Sequence, residues 1–124
     1  MNSEMLLNRL LDFAKKCRGL TTRLPKNNYN MEYASQLIRA SSSPGSNYIE
    51  AIEALSFKDF IHRLKICRKE SKESTYWLNL IQSANQDIKV SQAEIEDLTK
   101  EAQEFIKIFT SSILTCEKNK GIRK

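Results

Sequence analysis

A seam of apolar residues in the last third of the chain most constrains the fold. Its members follow one another at steps of three and four residues: Ile95, Leu98, Ala102, Phe105, Phe109 and Ile113. This spacing keeps them on one side of an α-helix and is typical of the contact seam in an antiparallel bundle or coiled coil. We therefore predict a fourth helix over about residues 91–116 that packs against other helices.

The same periodicity predicts three earlier helices. We expect the first over about residues 3–23 and the third over about residues 56–84. The second starts near Asn30, where an asparagine can cap it. The apolar residues expected to turn inward from the first two helices are Met5, Leu6, Leu10, Phe13, Ala14, Cys17, Met31, Ala34, Leu37 and Ile38.

Two serines are predicted to cap helix starts. Ser56 precedes the third helix, and Leu55 and Phe60 are placed as a hydrophobic staple around it. Ser91 precedes the fourth helix, with Glu94 three residues later as its capping-box partner. Such caps satisfy backbone N–H groups that the first turn of a helix leaves unpaired.

Residues 41–46, with the sequence SSSPGS, interrupt the second helix pattern. Proline removes a backbone donor and clashes with the preceding turn, which favours a loop. Helical spacing resumes at once with Tyr48, Ile49 and Ile52. From the residues alone, two short helices and one kinked continuous helix both remain open.

Glycine and proline are scarce, which argues against a sheet-rich fold. There are 3 Gly and 2 Pro in 124 residues, a length that suits one domain. We predict an all-α fold, an antiparallel up-down four-helix bundle over residues 1–117, followed by a basic C-terminal tail over residues 118–124.

The cysteines indicate a reduced protein. Cys17, Cys67 and Cys116 are an odd number, spread along the chain without a close pair that could chelate a metal. The N-terminus lacks the pattern of a secretion signal, and no apolar run is long enough to cross a membrane. We therefore expect a cytoplasmic location without membrane insertion.

The third helix is predicted to carry a basic stripe opposite its core side. At about 100° per residue, the stripe comprises Lys58, His62, Lys65, Lys69 and Lys72. The opposite side comprises Phe57, Phe60, Leu64, Cys67 and Leu78. Cations one turn apart could follow a phosphate backbone, in keeping with the net charge of +5.

An ordinary solvated helix face is the other interpretation of this basic stripe. Lysine is common on exposed helix surfaces, and Asp59, Glu70 and Glu73 lie on the adjoining side. No aromatic residue is interleaved with the cations, as a base-stacking platform would require. A nucleic-acid site therefore remains one of two alternatives.

No constellation in the sequence supports catalysis or a cofactor. His62 is the only histidine, which excludes a His-based metal cluster, and Cys67 lies on the core side. The acidic residues early in the fourth helix fit the positive end of its dipole better than a metal site. We expect no enzyme, no cofactor and no metal.

Trp77 lies beside the main apolar stripe of the third helix, together with Ile66 and Ile81. So broad an apolar arc is either buried deep in the bundle or shared with a neighbouring subunit. We assign these three residues to a predicted oligomer interface.

Asn47 and Glu50, one turn apart, are either a ligand site or a polar pair bonded to neighbouring helices or to another subunit.

Four segments resemble one bacterial family: QLIRA at residues 36–40, SNYIEA at 46–51, DFIHRLKICRKE at 59–70 and TYWL at 75–78. The chain is similar over about residues 5–115 to the four-helix bundle proteins encoded by intervening sequences in 23S ribosomal RNA genes. That family is also called the S23 ribosomal protein family.

The resemblance implies an antiparallel four-helix bundle assembled as a ring-shaped homopentamer, with no known catalytic activity. It also implies that the second helix runs through Pro44, although the family usually has an aliphatic residue at that position.

Two functional hypotheses follow. The first is a non-enzymatic oligomeric protein that binds structured RNA, with ribosomal RNA as one such target, through the basic stripe and the basic tail. The second is a protein-interaction scaffold or accessory subunit, because a related branch of this fold accompanies retroelement reverse transcriptases.

Overall fold

The computed structural model describes residues 1–122, apart from the side chains of residue 90 and residues 120–122. It contains four helices: α1 (Ser3–Thr22), α2 (Asn28–Ile52), α3 (Phe57–Ala84) and α4 (Lys89–Ile122). There is no strand in residues 1–122, and the all-α prediction is confirmed.

The helices follow one another around a square. Within the described residues α2 packs against α1 and α3, α3 packs against α4, and α1 closes the square against α4. Short connections make sequential helices antiparallel neighbours. The predicted up-down four-helix bundle is confirmed.

The seam of α4 fills the centre of this bundle. All six predicted members are buried, and Ile95, Ala102, Phe105 and Phe109 are completely inaccessible. Phe13 of α1 packs edge-on against Phe105, with ring centroids 5.4 Å apart. The step of three and four therefore identified the core side of α4 correctly.

Polar side chains cap three of the helices. The backbone N–H of Met5 donates to Asn2 Oδ1 (2.8 Å) at the start of α1, and Asn27 Oδ1 accepts from the N–H of Asn30 (2.9 Å) at the start of α2. Ser56 Oγ accepts from the N–H of Asp59 (3.1 Å), so the Ser56 cap is confirmed.

The predicted cap of α4 and the predicted staple of α3 are wrong. Because α4 begins at Lys89, Ser91 lies inside its first turn, where it is buried. The Gln92 amide donates to the carbonyl of Asn85 (2.8 Å), which ties the first turn of α4 to the end of α3. Leu55 is 98% exposed and therefore cannot act as a hydrophobic staple.

The second helix is continuous through Pro44, as the resemblance implied. Pro44 is buried, and its carbonyl accepts from Cys67 Sγ on α3 at 3.3 Å. The core thus holds the proline in a position where it interrupts the helical hydrogen bonds.

Two apolar residues of α2 do not turn inward as predicted, and neither does Met5 of α1, which is 56% exposed. Leu37 is fully buried, but Met31 is 64% exposed and Ile38 is 39% exposed. The inner side of α2 is instead completed by small and polar residues, among them Ala40 and Ser41. The outer side of α2 consequently carries apolar surface.

At the other end of the chain, α4 extends to Ile122, beyond its predicted end near residue 116.

Candidate nucleic-acid interface

The five residues of the basic stripe share one exposed face of α3. Lys58, His62, Lys65, Lys69 and Lys72 are all exposed. On the opposite side Leu64, Cys67 and Leu78 are buried. Helical periodicity therefore placed the stripe correctly, whereas nucleic-acid binding by these residues stays a prediction.

One member of the stripe is compensated by a carboxylate. Lys65 Nζ lies 2.9 Å from Glu117 Oε1 on α4, and both side chains are about half exposed. Within the described residues, the other four members form no ion pair. Lys69 and Lys72 are thus the most available adjacent cations.

An exposed aromatic residue extends the stripe, and the sequence interpretation missed it. Tyr76 follows Lys72 by four residues on the same face of α3 and is 58% exposed. Its ring packs edge-on against Trp77, with centroids 5.1 Å apart. The spacing of Lys65, Lys69, Lys72 and Tyr76 contained the signal: no aromatic residue lies between the cations, but one follows the last of them.

Asn47 forms a hydrogen bond with the neighbouring helix α3, and Glu50 is not part of this contact. Asn47 Oδ1 accepts from Arg63 Nη1 of α3 (3.0 Å), and its amide nitrogen donates to the carbonyl of Ser43 (3.0 Å). Glu50 is exposed. The geometry is that of an interhelical polar contact, with Arg63 as the partner that sequence reasoning did not name.

The predicted interface residues separate into two groups. Ile66 and Trp77 are partly buried and still present surface to solvent, and Trp77 lies near Tyr33 of α2 with ring centroids 6.3 Å apart. Ile81 has no exposed surface, because it packs into the bundle's own core. Its assignment to an interface between chains is therefore wrong.

Two carboxyl groups lie together in a cleft between α2 and α3. A hydrogen bond joins the side chains of Glu70 and Glu73, and the cleft of about 180 Å³ is also lined by Arg39, Lys69 and Trp77. Partial burial and the neighbouring Glu73 raise the pKa of Glu70 to about 7. Lys69 and Arg39 oppose this shift. Glu70 therefore titrates near neutral pH.

The buried thiols are not poised for reaction. Burial raises the pKa of Cys17 and of Cys67 to about 12, so both stay protonated near neutral pH. In residues 1–122 no group of three or more His, Cys, Asp or Glu side chains is arranged to hold a metal ion.

Two of the acidic residues of α4 bind arginines, namely Arg9 of α1 and Arg23, which follows the last residue of α1. Glu101 accepts two hydrogen bonds from Arg9 (2.5 and 3.1 Å), and Glu94 accepts two from Arg23 (2.5 and 2.6 Å). Such two-pronged pairs fix orientation as well as charge. These carboxylates therefore contribute contacts between helices that the dipole argument did not foresee.

Comparison with known proteins agrees with this architecture. A family model described as 23S rRNA-intervening sequence protein matches residues 5–111, which is most of the chain. The chain belongs to the 23S rRNA-intervening sequence protein family.

A solved relative of this chain has the same fold. It is a protein of unknown function from the S23 ribosomal protein family of Bacteroides thetaiotaomicron, 28% identical, with a TM-score of 0.79. The match covers 91% of this chain and 98% of the relative. A search of curated proteins finds no match.

None of the helices in the described part of the chain has the length and apolarity needed to span a bilayer.

Proposed function

We propose that this chain is a non-enzymatic RNA-binding protein that acts as a homo-oligomer in the cytoplasm. The observation that carries the proposal is the exposed row of cations on α3 that ends in an exposed tyrosine. Lysines supply sequence-independent phosphate contacts, and an aromatic ring offers a stacking surface to an unpaired base. Structured RNA with a loop provides both partners.

The family description favours RNA over DNA as the ligand. The family is described by its link to intervening sequences of 23S rRNA. An RNA made from such a region is a natural first ligand to test, although the row of lysines carries no base-specific readout. A ring of copies would repeat the stripe and add avidity, and five copies is the expectation from the resemblance.

The salt dependence of RNA binding tests the stripe. We expect an RNA hairpin to bind more weakly as salt rises, with a slope that reflects the number of neutralised phosphates. Reversing Lys69→Glu and Lys72→Glu together should weaken binding and lower the salt slope by about two. Fluorescence anisotropy with a labelled hairpin measures both quantities.

The matched control reverses two exposed lysines on another helix. Lys100→Glu with Lys107→Glu gives the same net charge but lies on α4, away from the stripe. An equal loss of RNA affinity in this control would show that binding depends on net charge and not on the position of the stripe. Absence of binding at low salt would contradict the proposal and favour the alternative, a scaffold or accessory subunit for a protein partner.

Tyr76 provides a second, charge-independent test. Tyr76→Ala should weaken binding of a hairpin with an unpaired loop by about 1–3 kcal/mol, the usual contribution of one stacked base. Tyr29→Ala is the control, because Tyr29 is also exposed but lies at the start of α2. Equal affinities for the two variants would remove Tyr76 from the site.

A further inference from the structure

An apolar groove runs along the outer side of the bundle between α1 and α2, and no residue of α3 lines it. Its volume of about 490 Å³ lies within the range of about 300–1,000 Å³ that is usual for small-molecule sites. Leu11, Ile38 and Ile49 of its lining are 52%, 39% and 49% exposed. Exposed aliphatic side chains that gather in one concave place indicate a binding site, whereas scattered ones do not.

Small side chains on both helices form part of the groove lining. They include Ala14 of α1 and Ser42 and Ser46 of α2. The Ser42 hydroxyl donates to the carbonyl of Ile38 (2.7 Å), and the Ser46 hydroxyl donates to the carbonyl of Ser43 (3.0 Å). An aliphatic chain can therefore lie against these serines without leaving a hydroxyl donor unpaired.

The two ends of the groove differ in charge. The lining residues of α1 run from Leu7 to Arg18, a rise of about 16 Å along the helix. Because α1 and α2 are antiparallel neighbours, Ile49, near the end of α2, lies toward the Leu7 end. Lys15 and Arg18 lie toward the other end. The groove therefore has an aliphatic end and a cationic end.

The two cations of the groove are available to a ligand. Among the side chains that the structure describes, neither Lys15 nor Arg18 forms an ion pair, and no acidic residue lines the groove. Elsewhere on α1, Lys16 binds Asp12 and Arg9 binds Glu101. The charge of the groove is thus left without the compensation that its neighbours on the same helix receive.

We propose that the α1–α2 groove is a binding site for a medium-chain fatty acid, with the carboxylate against Lys15 and Arg18 and the tail along Leu11 and Ile49. Arginine binds a carboxylate through two parallel hydrogen bonds, and each methylene removed from water adds to the affinity. A neutral apolar molecule would leave the cations unused, and a bare anion would leave the aliphatic end exposed. The site shares no residue with the basic stripe, so it goes beyond RNA binding and does not depend on it.

A series of ligands tests the aliphatic end. Isothermal titration calorimetry of the full chain measures the binding of octanoate, decanoate and dodecanoate, each below the concentration at which it forms micelles. We expect the affinity to rise about two- to fourfold for each added methylene, because half to all of its surface leaves water. Acetate, which has the charge without the tail, should not bind. Equal affinities across the series, or no binding of dodecanoate, would overturn the proposal.

Neutralising the two cations tests the charged end. Lys15→Gln with Arg18→Gln should bind decanoate about fivefold more weakly than the wild type, and it should bind decanol, the neutral counterpart, equally well. Lys100→Gln with Lys107→Gln is the matched control, because it removes the same charge from exposed positions of α4. If the control lost as much decanoate affinity as the groove variant, the cations of the groove would not be what holds the carboxylate.

Filling the groove tests the position of the tail. Ser42 is exposed, so Ser42→Phe places a large ring in the groove and leaves the core unchanged, which a normal circular dichroism spectrum checks. This variant should bind decanoate about tenfold more weakly or worse, because the tail loses its contact with α2. Ser111→Phe, at an exposed position of α4, is the control and should bind like the wild type. Unchanged affinity in Ser42→Phe would place the ligand elsewhere.

RNA binding by the same samples keeps the two proposals distinguishable. Ser42→Phe should bind the hairpin like the wild type, and Lys69→Glu with Lys72→Glu should bind decanoate like the wild type. Decanoate binding by a chain that ignores RNA would contradict the proposed function alone. If decanoate does not bind and Ser42→Phe instead changes the mass of the chain in solution, the groove is a contact between copies and the fatty-acid site is wrong.

Discussion

Buried polar pairs fix the register of helices whose apolar residues could slide. Asn30 and Asn85 are each 2% exposed and exchange hydrogen bonds of 3.0 and 2.9 Å through their side-chain amides. Each also donates to a carbonyl, Asn30 to Pro25 and Asn85 to Ile81. The pair thereby joins the start of α2 to the end of α3 with every polar atom satisfied.

Removing one member of this pair should be costly. Asn85→Ala leaves the buried amide of Asn30 without its partner, and we expect the free energy of unfolding to fall by about 2–3 kcal/mol. Urea unfolding followed by circular dichroism measures the change. Asn79→Ala, at an exposed position of α3, is the control. A loss no larger than that of the control would show that the pair contributes little.

The Glu70 carboxyl predicts an unusual pH dependence of stability. Its pKa rises from about 4.5 to about 7 on folding, so the folded chain binds more protons than the unfolded chain between these values. Stability should therefore fall as pH rises from about 4.5 to about 7. The groups that face Glu70 are Glu73, Lys69 and Arg39.

Glu70→Gln should remove this pH dependence. Because the carboxyl is only partly buried and solvent screens it, we expect the wild type to lose no more than about 1 kcal/mol relative to the variant across the window. Urea midpoints at several pH values measure it. Glu96→Gln, an exposed carboxylate change on α4, should leave the wild-type profile in place. If the stability of Glu70→Gln fell with pH as much as that of the wild type, the assignment of this pH dependence to Glu70 would be contradicted.

At the scale of elements, α2 carries a proline that its own helix does not favour. Pro44 cannot donate to the carbonyl of Ala40, and a proline inside a helix costs about 3 kcal/mol relative to alanine. Its ring is buried, so replacement also loses packing. We expect Pro44→Ala to raise the free energy of unfolding by about 1 kcal/mol, as measured by urea unfolding.

The neighbouring substitution Ser46→Ala separates this effect from a general gain in helix propensity. Ser46 is exposed, and its hydroxyl bonds only to the carbonyl of Ser43 (3.0 Å). Its replacement should change stability by a few tenths of a kcal/mol. If Pro44→Ala destabilises the chain, then the buried ring contributes more than the missing hydrogen bond.

A feature of a helix was predictable when it depends on residues close together in the sequence. The seam of α4 and the cap of α3 were correct because both are read from residues within a few turns. The start of α4 was missed because it depends on Gln92 bonding to the end of α3. The burial of Ile81 and the exposure of Met31 depend on which helices meet, which periodicity alone does not give.

The candidate site likewise combines features encoded within one helix, which were predictable, with contacts between helices, which were not. The shared face of the basic stripe was predictable from spacing, because one helix carries all its members. The ion pair of Lys65 with Glu117 joins two helices and needed the structure.

At the scale of the whole molecule, surfaces of different character lie on neighbouring sides of one bundle. The outer sides of α1 and α2 carry an apolar groove, α2 and α3 carry the carboxyl cleft, and the stripe lies on α3 toward α4.

The two inaccessible thiols provide a way to measure how often this bundle opens. Cys17 of α1 and Cys67 of α3 are fully buried and are held far from the thiolate form. A thiol reagent reaches them only when helices separate, so their rate of modification counts openings of the native bundle. The same two thiols therefore report opening of the bundle without any engineered cysteine, whether the chain is alone, assembled or bound to RNA.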